Sequence, residues 1–147
     1  MKKLKRLICL MAIVGSLQSC DPYSRAYICN DSDEEFELLL LFDYDSLEHM
    51  SKKEVFTHFN DQIDSNAILS RVDTTFMIGY YKLKSKTCAL IGHGMLSYPP
   101  LDFNHLQIRS NSHTWDFPKV DEDLKKFFKK EEGFKLGFGG DYYLKLK

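Results

Sequence analysis

His49, His58, His93, His105 and His113 are the side chains best suited to proton transfer or zinc binding near neutral pH. No two stand at the i, i+4 spacing of an H-E-x-x-H zinc helix, and no C-x-x-C pair accompanies them. Isolated histidines on polar segments read as solvated side chains. His93 is the least ordinary, because Gly92 and Gly94 bracket it. The missing Cβ atoms would let a ligand approach the backbone, although glycines in a strand equally mark a bulge or loop entry. Two acidic clusters offer oxygens to calcium: Asp31, Asp33, Glu34 and Glu35, then Asp43 and Asp45. Neither has the twelve-residue loop with its glycine and terminal Glu, and both read as solvated turns. Gly137-Phe138-Gly139-Gly140 lacks the Lys-Ser/Thr of a phosphate loop and reads as a hairpin turn. Ser97 lacks the glycine frame of a nucleophile elbow. Trp115 and the pairs Tyr80-Tyr81 and Tyr142-Tyr143 could stack on a ligand ring, but core or interface packing is the commoner use of such residues. No catalytic residue, metal ligand or cofactor is assigned on these grounds.

The amino-terminal segment carries a stronger signal. Lys2, Lys3, Lys5 and Arg6 precede Leu7 to Leu17, an eleven-residue and almost wholly apolar run. A helix needs roughly 20 residues to cross a hydrocarbon core of about 30 Å, so this run reads as a secretory signal. It closes on Leu17-Gln18-Ser19-Cys20, which resembles the lipobox of bacterial lipoproteins. The resemblance covers the first 20 residues. It implies a diacylglycerol on the Cys20 sulfur, cleavage between Ser19 and Cys20 by the lipoprotein signal peptidase, and often a further acyl chain on the new amino group. Each chain contributes about 0.8 kcal/mol per buried methylene, so two or three hold a protein at a membrane effectively permanently. The expected address is the bacterial cell envelope, on the inner or outer membrane, with the domain extracytoplasmic. Asp21 resembles an inner-membrane retention signal of some sorting systems, and the choice of membrane stays open.

Residues 1–19 are therefore expected to be removed, 20–24 to form a lipidated tether, and 25–147 to fold as a single β-rich domain. All four leader charges are positive, which leaves sixteen basic against 21 acidic side chains in the remainder. That balance gives no electrostatic reason to bind nucleic acid or an anionic bilayer; membrane contact is expected through lipid on Cys20. With Cys9 in the leader and Cys20 acylated, Cys29 and Cys88 remain. In an oxidising compartment they can form a disulfide, or they can be two buried thiols, and sequence leaves both open.

The elements follow from periodicity. Arg25 to Cys29 reads as a strand and Asn30 to Glu34 as a turn. Glu35 to Asp43 alternates, with Phe36, Leu38, Leu40 and Phe42 on one face and Glu37, Leu39, Leu41 and Asp43 on the other; apolar on both faces at its middle, it reads as a central strand. The first two strands are expected to pair as a hairpin. Ser46 to Ile63 admits helix or strand, and the capping box Ser51-Lys52-Lys53-Glu54 favours a short helix. Asp64-Ser65-Asn66 is a break, Thr74 to Leu83 a strand, Lys84 to Lys86 a turn, and Thr87 to Met95 a strand. Tyr98-Pro99-Pro100 forces an extended link. Leu106 to Arg109 and Thr114 to Phe117 read as a hairpin. Val120, Leu124, Phe127 and Phe128 then fall at helical spacing, with acids in the first turn and lysines after, ending at Gly133. Phe134-Leu136-Phe138 and Tyr142-Leu144-Leu146 alternate about Gly139-Gly140-Asp141 as a last hairpin.

These elements predict a mainly β fold, a single β-sandwich of immunoglobulin-like or transthyretin-like pattern with one α-helix in the C-terminal half. Fold alone does not set function. The anchor, the small size and the lack of a reactive constellation favour a non-catalytic interaction domain, either an assembly accessory or an immunity-type protein, with a protein partner. The alternative is a small extracytoplasmic hydrolase or ligand binder acting on cell-wall or glycan substrates.

Overall fold

Phe36, Leu38, Leu40 and Phe42 are buried along β2 (Phe36–Phe42), while Glu37, Leu39 and Leu41 between them are half-buried. A strand turns successive side chains to opposite faces, so β2 offers one face to a core. β3 (Ala67–Asp73), β4 (Ile78–Leu83), β6 (Phe103–Arg109) and β7 (Thr114–Phe117) do the same beside it, in the order β3-β4-β2-β6-β7. Opposite lies a four-stranded sheet ordered β5-β1-β9-β8, built from β1 (Ser24–Asn30), β5 (Thr87–Gly94), β8 (Lys129–Glu131) and β9 (Asp141–Leu146). The computed structural model describes residues 24–64, 66–94, 101–118, 125–131 and 140–147. The inner faces of the two sheets enclose one buried cluster, including Ala26, Ile28, Leu38, Leu40, Ile91, Leu106, Ile108 and Leu144. Each such side chain contributes roughly 1.5–3 kcal/mol on burial. The molecule is a mainly β, two-sheet sandwich with one full-length helix among the described residues.

That helix is α2 (Lys52–Asp61), preceded by the single turn α1 (Tyr44–Leu47). Ser51 caps α2: its hydroxyl accepts the Glu54 N–H, and the Glu54 carboxylate accepts the Ser51 N–H at 2.7 Å. The capping box decides between the helix and strand readings of this segment. Val55 and Phe59 turn inward, and the Phe59 ring meets Phe42 edge to face at 4.4 Å between centroids. Gly79 lies beneath it, where a Cβ would come within 2.6 Å of the Phe59 ring, so only glycine admits this approach. The Tyr81 hydroxyl donates to the Phe59 carbonyl at 2.7 Å, tying α2 to β4.

Burial pushes the Tyr81 phenol well above its usual 10.0. With the folded value raised, the stability that the neutral phenol contributes is complete below pH 10 and is lost as pH rises through the folded value. Urea midpoints measured on either side of pH 10 should therefore fall more steeply for the native chain than for Tyr81→Phe. Equal slopes would show that Tyr81 ionises as freely in the fold as out of it.

Cys29 and Cys88 are direct cross-strand partners on β1 and β5, with Cα atoms 4.0 Å apart, and they form a disulfide. Sequence alone leaves the bridge open against two buried thiols, with the thiols the blander reading. β5 carries one extra residue, Ile91, between Leu90 opposite Tyr27 and Gly92 opposite Ala26. Gly92 thus stands beside a bulge, the second of the two readings of the glycines around His93.

Three expectations are corrected. β1 and β2 do not pair as a hairpin; they lie in different sheets. Asn30 explains the crossing, since its buried side chain donates to the Glu34 and Lys84 carbonyls at 2.7 and 3.3 Å and so turns the chain toward the second layer. β3 is a strand the sequence reading passed over. Its register slips between Leu69 and Arg71, so the inward set changes from Ala67 and Leu69 to Val72 and no simple alternation survives. In the C-terminal half, the described part of the expected helix is the single turn α3 (Lys125–Phe127), followed by β8. β8 pairs with β9 and closes a sheet edge, a place where lysines resist further pairing. The export signal, the lipobox, the Pro99-Pro100 link and the 134–138 arm lie outside the described residues.

The bonds of Asn30 also fix which strand ends coincide. The end of β1 lies by the start of β2 and the end of β4. Asn66, just before β3, donates to the Cys88 carbonyl at 2.9 Å at this same end. In an aligned sandwich, whose layers keep their strands within about 30° of each other, the start of β1 then shares the opposite end with the end of β2 and the start of β4.

Candidate functional site

The outward residues of β2 sit at the centre of the five-stranded sheet. Leu39 faces Tyr80 on one side and Gln107 on the other; Leu41 faces Ile78 and His105; Glu37 faces Lys82 and Arg109. Leu39, Leu41, Ile78 and Tyr80 thus form a half-buried apolar square on a face that no second layer covers among the described residues. With β6 they line a shallow depression of about 280 Å³ that also takes in His105, Gln107 and Arg109.

Polar groups border the square on two sides. On the β3 side the Arg71 guanidinium lies 3.8 Å from the centre of the Tyr80 ring, a cation over an aromatic face. On the other side a hydrogen-bonded row runs across β6 and β7. Arg109 Nε donates to Gln107 Oε1 at 2.7 Å, Gln107 Nε2 donates to Asp116 Oδ1 at 3.3 Å, and His105 Nε2 lies 2.6 Å from the same oxygen. A carboxylate can only accept, so Nε2 carries the proton in that contact. The row fixes three long side chains in place, and a partner that docks there meets less ordering cost. No Ser, Thr or Cys side chain bonds to the His105 ring among the described contacts. The pair orients a polar edge of the depression.

No protein-family model, characterised protein or solved structure matches this chain. Any functional reading must then come from its own residues.

The residues singled out from sequence do not converge. His49 is exposed beside Glu48, His58 packs on Phe42 and contacts Gln62, and His113 stacks on Trp115 at 5.7 Å. His93 lies on β5 opposite Arg25, in the other sheet. Among the described residues, no three His, Cys, Asp or Glu side chains gather around a point that could hold a metal. In the first acidic cluster Asp33 pairs with Lys86, Glu35 pairs with Lys82, and Glu34 accepts the Asn111 N–H. These carboxylates hold turns together. Of the tyrosine pairs, Tyr81 is core and Tyr80 belongs to the outward apolar square; Tyr143 stacks on Tyr27 at 5.0 Å on the outside of the four-stranded sheet.

Sequence reasoning named His105 as one scattered imidazole and Tyr80 as a core or interface aromatic, and missed Arg71, Gln107, Arg109 and Asp116 beside them. The signal was present. Leu39 and Leu41 on the second face of β2 were read as a sign of a central strand, which is right, but apolar outward positions on a sheet with one covered face also mark a surface for docking. A larger groove of about 640 Å³ lies at the β8–β9 edge, lined by Lys129, Lys130, Lys145 and Lys147 with Phe127 and Tyr143. Lys129 and Lys130 lie on β8, the outermost strand of this sheet among the described residues, where lysines are common.

Proposed function

We propose that the chain is an exported lipoprotein, held in the bacterial envelope by acyl chains on Cys20, whose sandwich is a non-catalytic docking module for a protein partner. The observation that carries the docking role is the apolar square of Leu39, Leu41, Ile78 and Tyr80 within its polar border. An apolar centre with aromatic and Arg side chains and a polar rim is the composition of a protein interface. Arg71 over Tyr80 supplies the residue types that dominate binding energy. Export is supported by the Cys29–Cys88 disulfide, a bond that persists in oxidising compartments. The lipobox-like Leu17-Gln18-Ser19-Cys20 supports the anchor.

The full chain, cross-linked in its host and purified from membranes, tests the reading. A stoichiometric protein partner is expected, and Tyr80→Asp should weaken its capture at least about tenfold by placing a charge at the centre of the face. A partner retained equally by the variant, or none for the native chain, would overturn the proposal. A second reading, a small hydrolase or binder of cell-wall or glycan substrates, draws on the same depression, where His105 and Asp116 could bond sugar hydroxyls. Purified glycan that binds despite Tyr80→Asp, and fails to bind after His105→Ala, would favour it.

A further inference from the structure

The turn between β3 and β4 presents a large apolar side chain to solvent on a fixed support. Asp73 Oδ1 accepts the N–H groups of Thr75 and Phe76 at 2.9 and 3.2 Å, which closes the turn. Met77, in the left-handed region at φ 51°, turns its own side chain into the core, and its carbonyl accepts the Phe42 N–H at 3.0 Å. Phe76 is left pointing out, 66% exposed. The bond between Phe42 and Met77 joins this turn to the end of β2, where α1 begins with Tyr44, 53% exposed. Met50, after α1, is 38% exposed. Three large apolar side chains therefore project near the end where β2 stops and β4 starts.

In aligned layers that is also the end where β1 starts. Ser24 lies only four peptide links from Cys20, a reach of at most about 14 Å. A lipid on Cys20 would hold this end, and not the end bearing Asn30 and the β6–β7 turn, against the bilayer. We infer that Phe76, with Tyr44 beside it, inserts into the headgroup region of the membrane that carries the anchor, and so sets the sandwich upright with its docking face turned sideways along the membrane. The inference rests on lipidation of Cys20 as proposed above. Tyr gathers at this interface because its apolar body and polar tip suit the graded environment, and a Phe ring adds buried apolar area there. Asp43, Asp45 and Glu48 flank Tyr44 along the chain and Asp73 opens the Phe76 turn, with His49, Lys52 and Lys53 following α1, so attraction to anionic lipid does not drive the contact.

The chain supplies its own control. Its single Trp, Trp115, packs on Phe36 toward the opposite end. The lipidated full chain, native and Phe76→Trp, is reconstituted in vesicles of phosphatidylglycerol and brominated phosphatidylcholine, with flotation and Trp emission both measured. The native chain should float with emission unquenched by bromine. Phe76→Trp should float equally, and the emission it adds should shift to the blue and be mostly lost to bromine quenching. Flotation with that added emission unquenched overturns the insertion and leaves the anchor standing. Failure of the native chain to float refutes the anchor, and the insertion with it. Phe76 is exposed on a turn, so the substitution leaves the core untouched.

Discussion

Replacing Cys29 and Cys88 together by Ala is expected to remove about 4 kcal/mol of stability, on the chain-entropy estimate for a closed loop of this length. The bond spans 59 residues of sequence, from β1 through the whole of β2, α2, β3 and β4 to β5. In the unfolded chain it forbids the many conformations in which those ends are apart. In the folded chain it joins strands already paired antiparallel, so its loss leaves the ladder in place. For a domain of this size the thermal midpoint should fall on the order of 15 °C. Thermal melts with and without reductant measure it directly. A native midpoint indifferent to reductant, matching that of the double variant, would show that the two sulfurs contribute nothing as a bridge.

The second large effect is expected at Phe59. Phe59→Ala should destabilise by about 4 kcal/mol, the usual cost of emptying a closed aromatic site. The ring is fully buried, lies against Phe42, and fills the space that Gly79 leaves open. Little nearby can collapse inward: Gly79 has no side chain, and Tyr81 is held by its bond to the Phe59 carbonyl. Urea unfolding of the variant checks the size. A loss below about 1 kcal/mol would mean that α2 is peripheral to the cooperative unit.

What could be read from the chain before its structure was mostly local. Alternation in Phe36 to Phe42 identified both a strand and its inward face, because the period of two is imposed by backbone geometry. Ser51 and Glu54 marked the start of α2 because a capping box requires those side chains at that spacing. Ser110 to His113 likewise identified the turn between β6 and β7. Choices among distant partners were not legible. The polar residues after Cys29 show that the chain reverses, but which layer receives it depends on Asn30 meeting the Leu83 and Lys84 carbonyls, more than fifty positions away. Phe127 and Phe128 fit a helical stripe by spacing, yet Phe128 alone is buried and the backbone after it pairs with β9. The slip in β3 hid a strand whose inward residues no fixed period connects. The outward face was only partly legible for the same reason: it is assembled from five strands, and only the register that brings Arg71 to Tyr80 and Leu39 to Gln107 makes it one surface.

The position of β1 has a mechanical side. It is hydrogen-bonded on both flanks, antiparallel to β5 and parallel to β9, and is welded to β5 near its far end. A pull delivered through the amino-terminal tether would load β1 along its length, so both ladders would have to shear together and could not unzip one bond at a time. Beyond Cys29 the tension would pass through sulfur into β5. A domain pulled by its amino terminus would thus take the strain on its most heavily supported strand, while the outward face of the other sheet stayed unloaded.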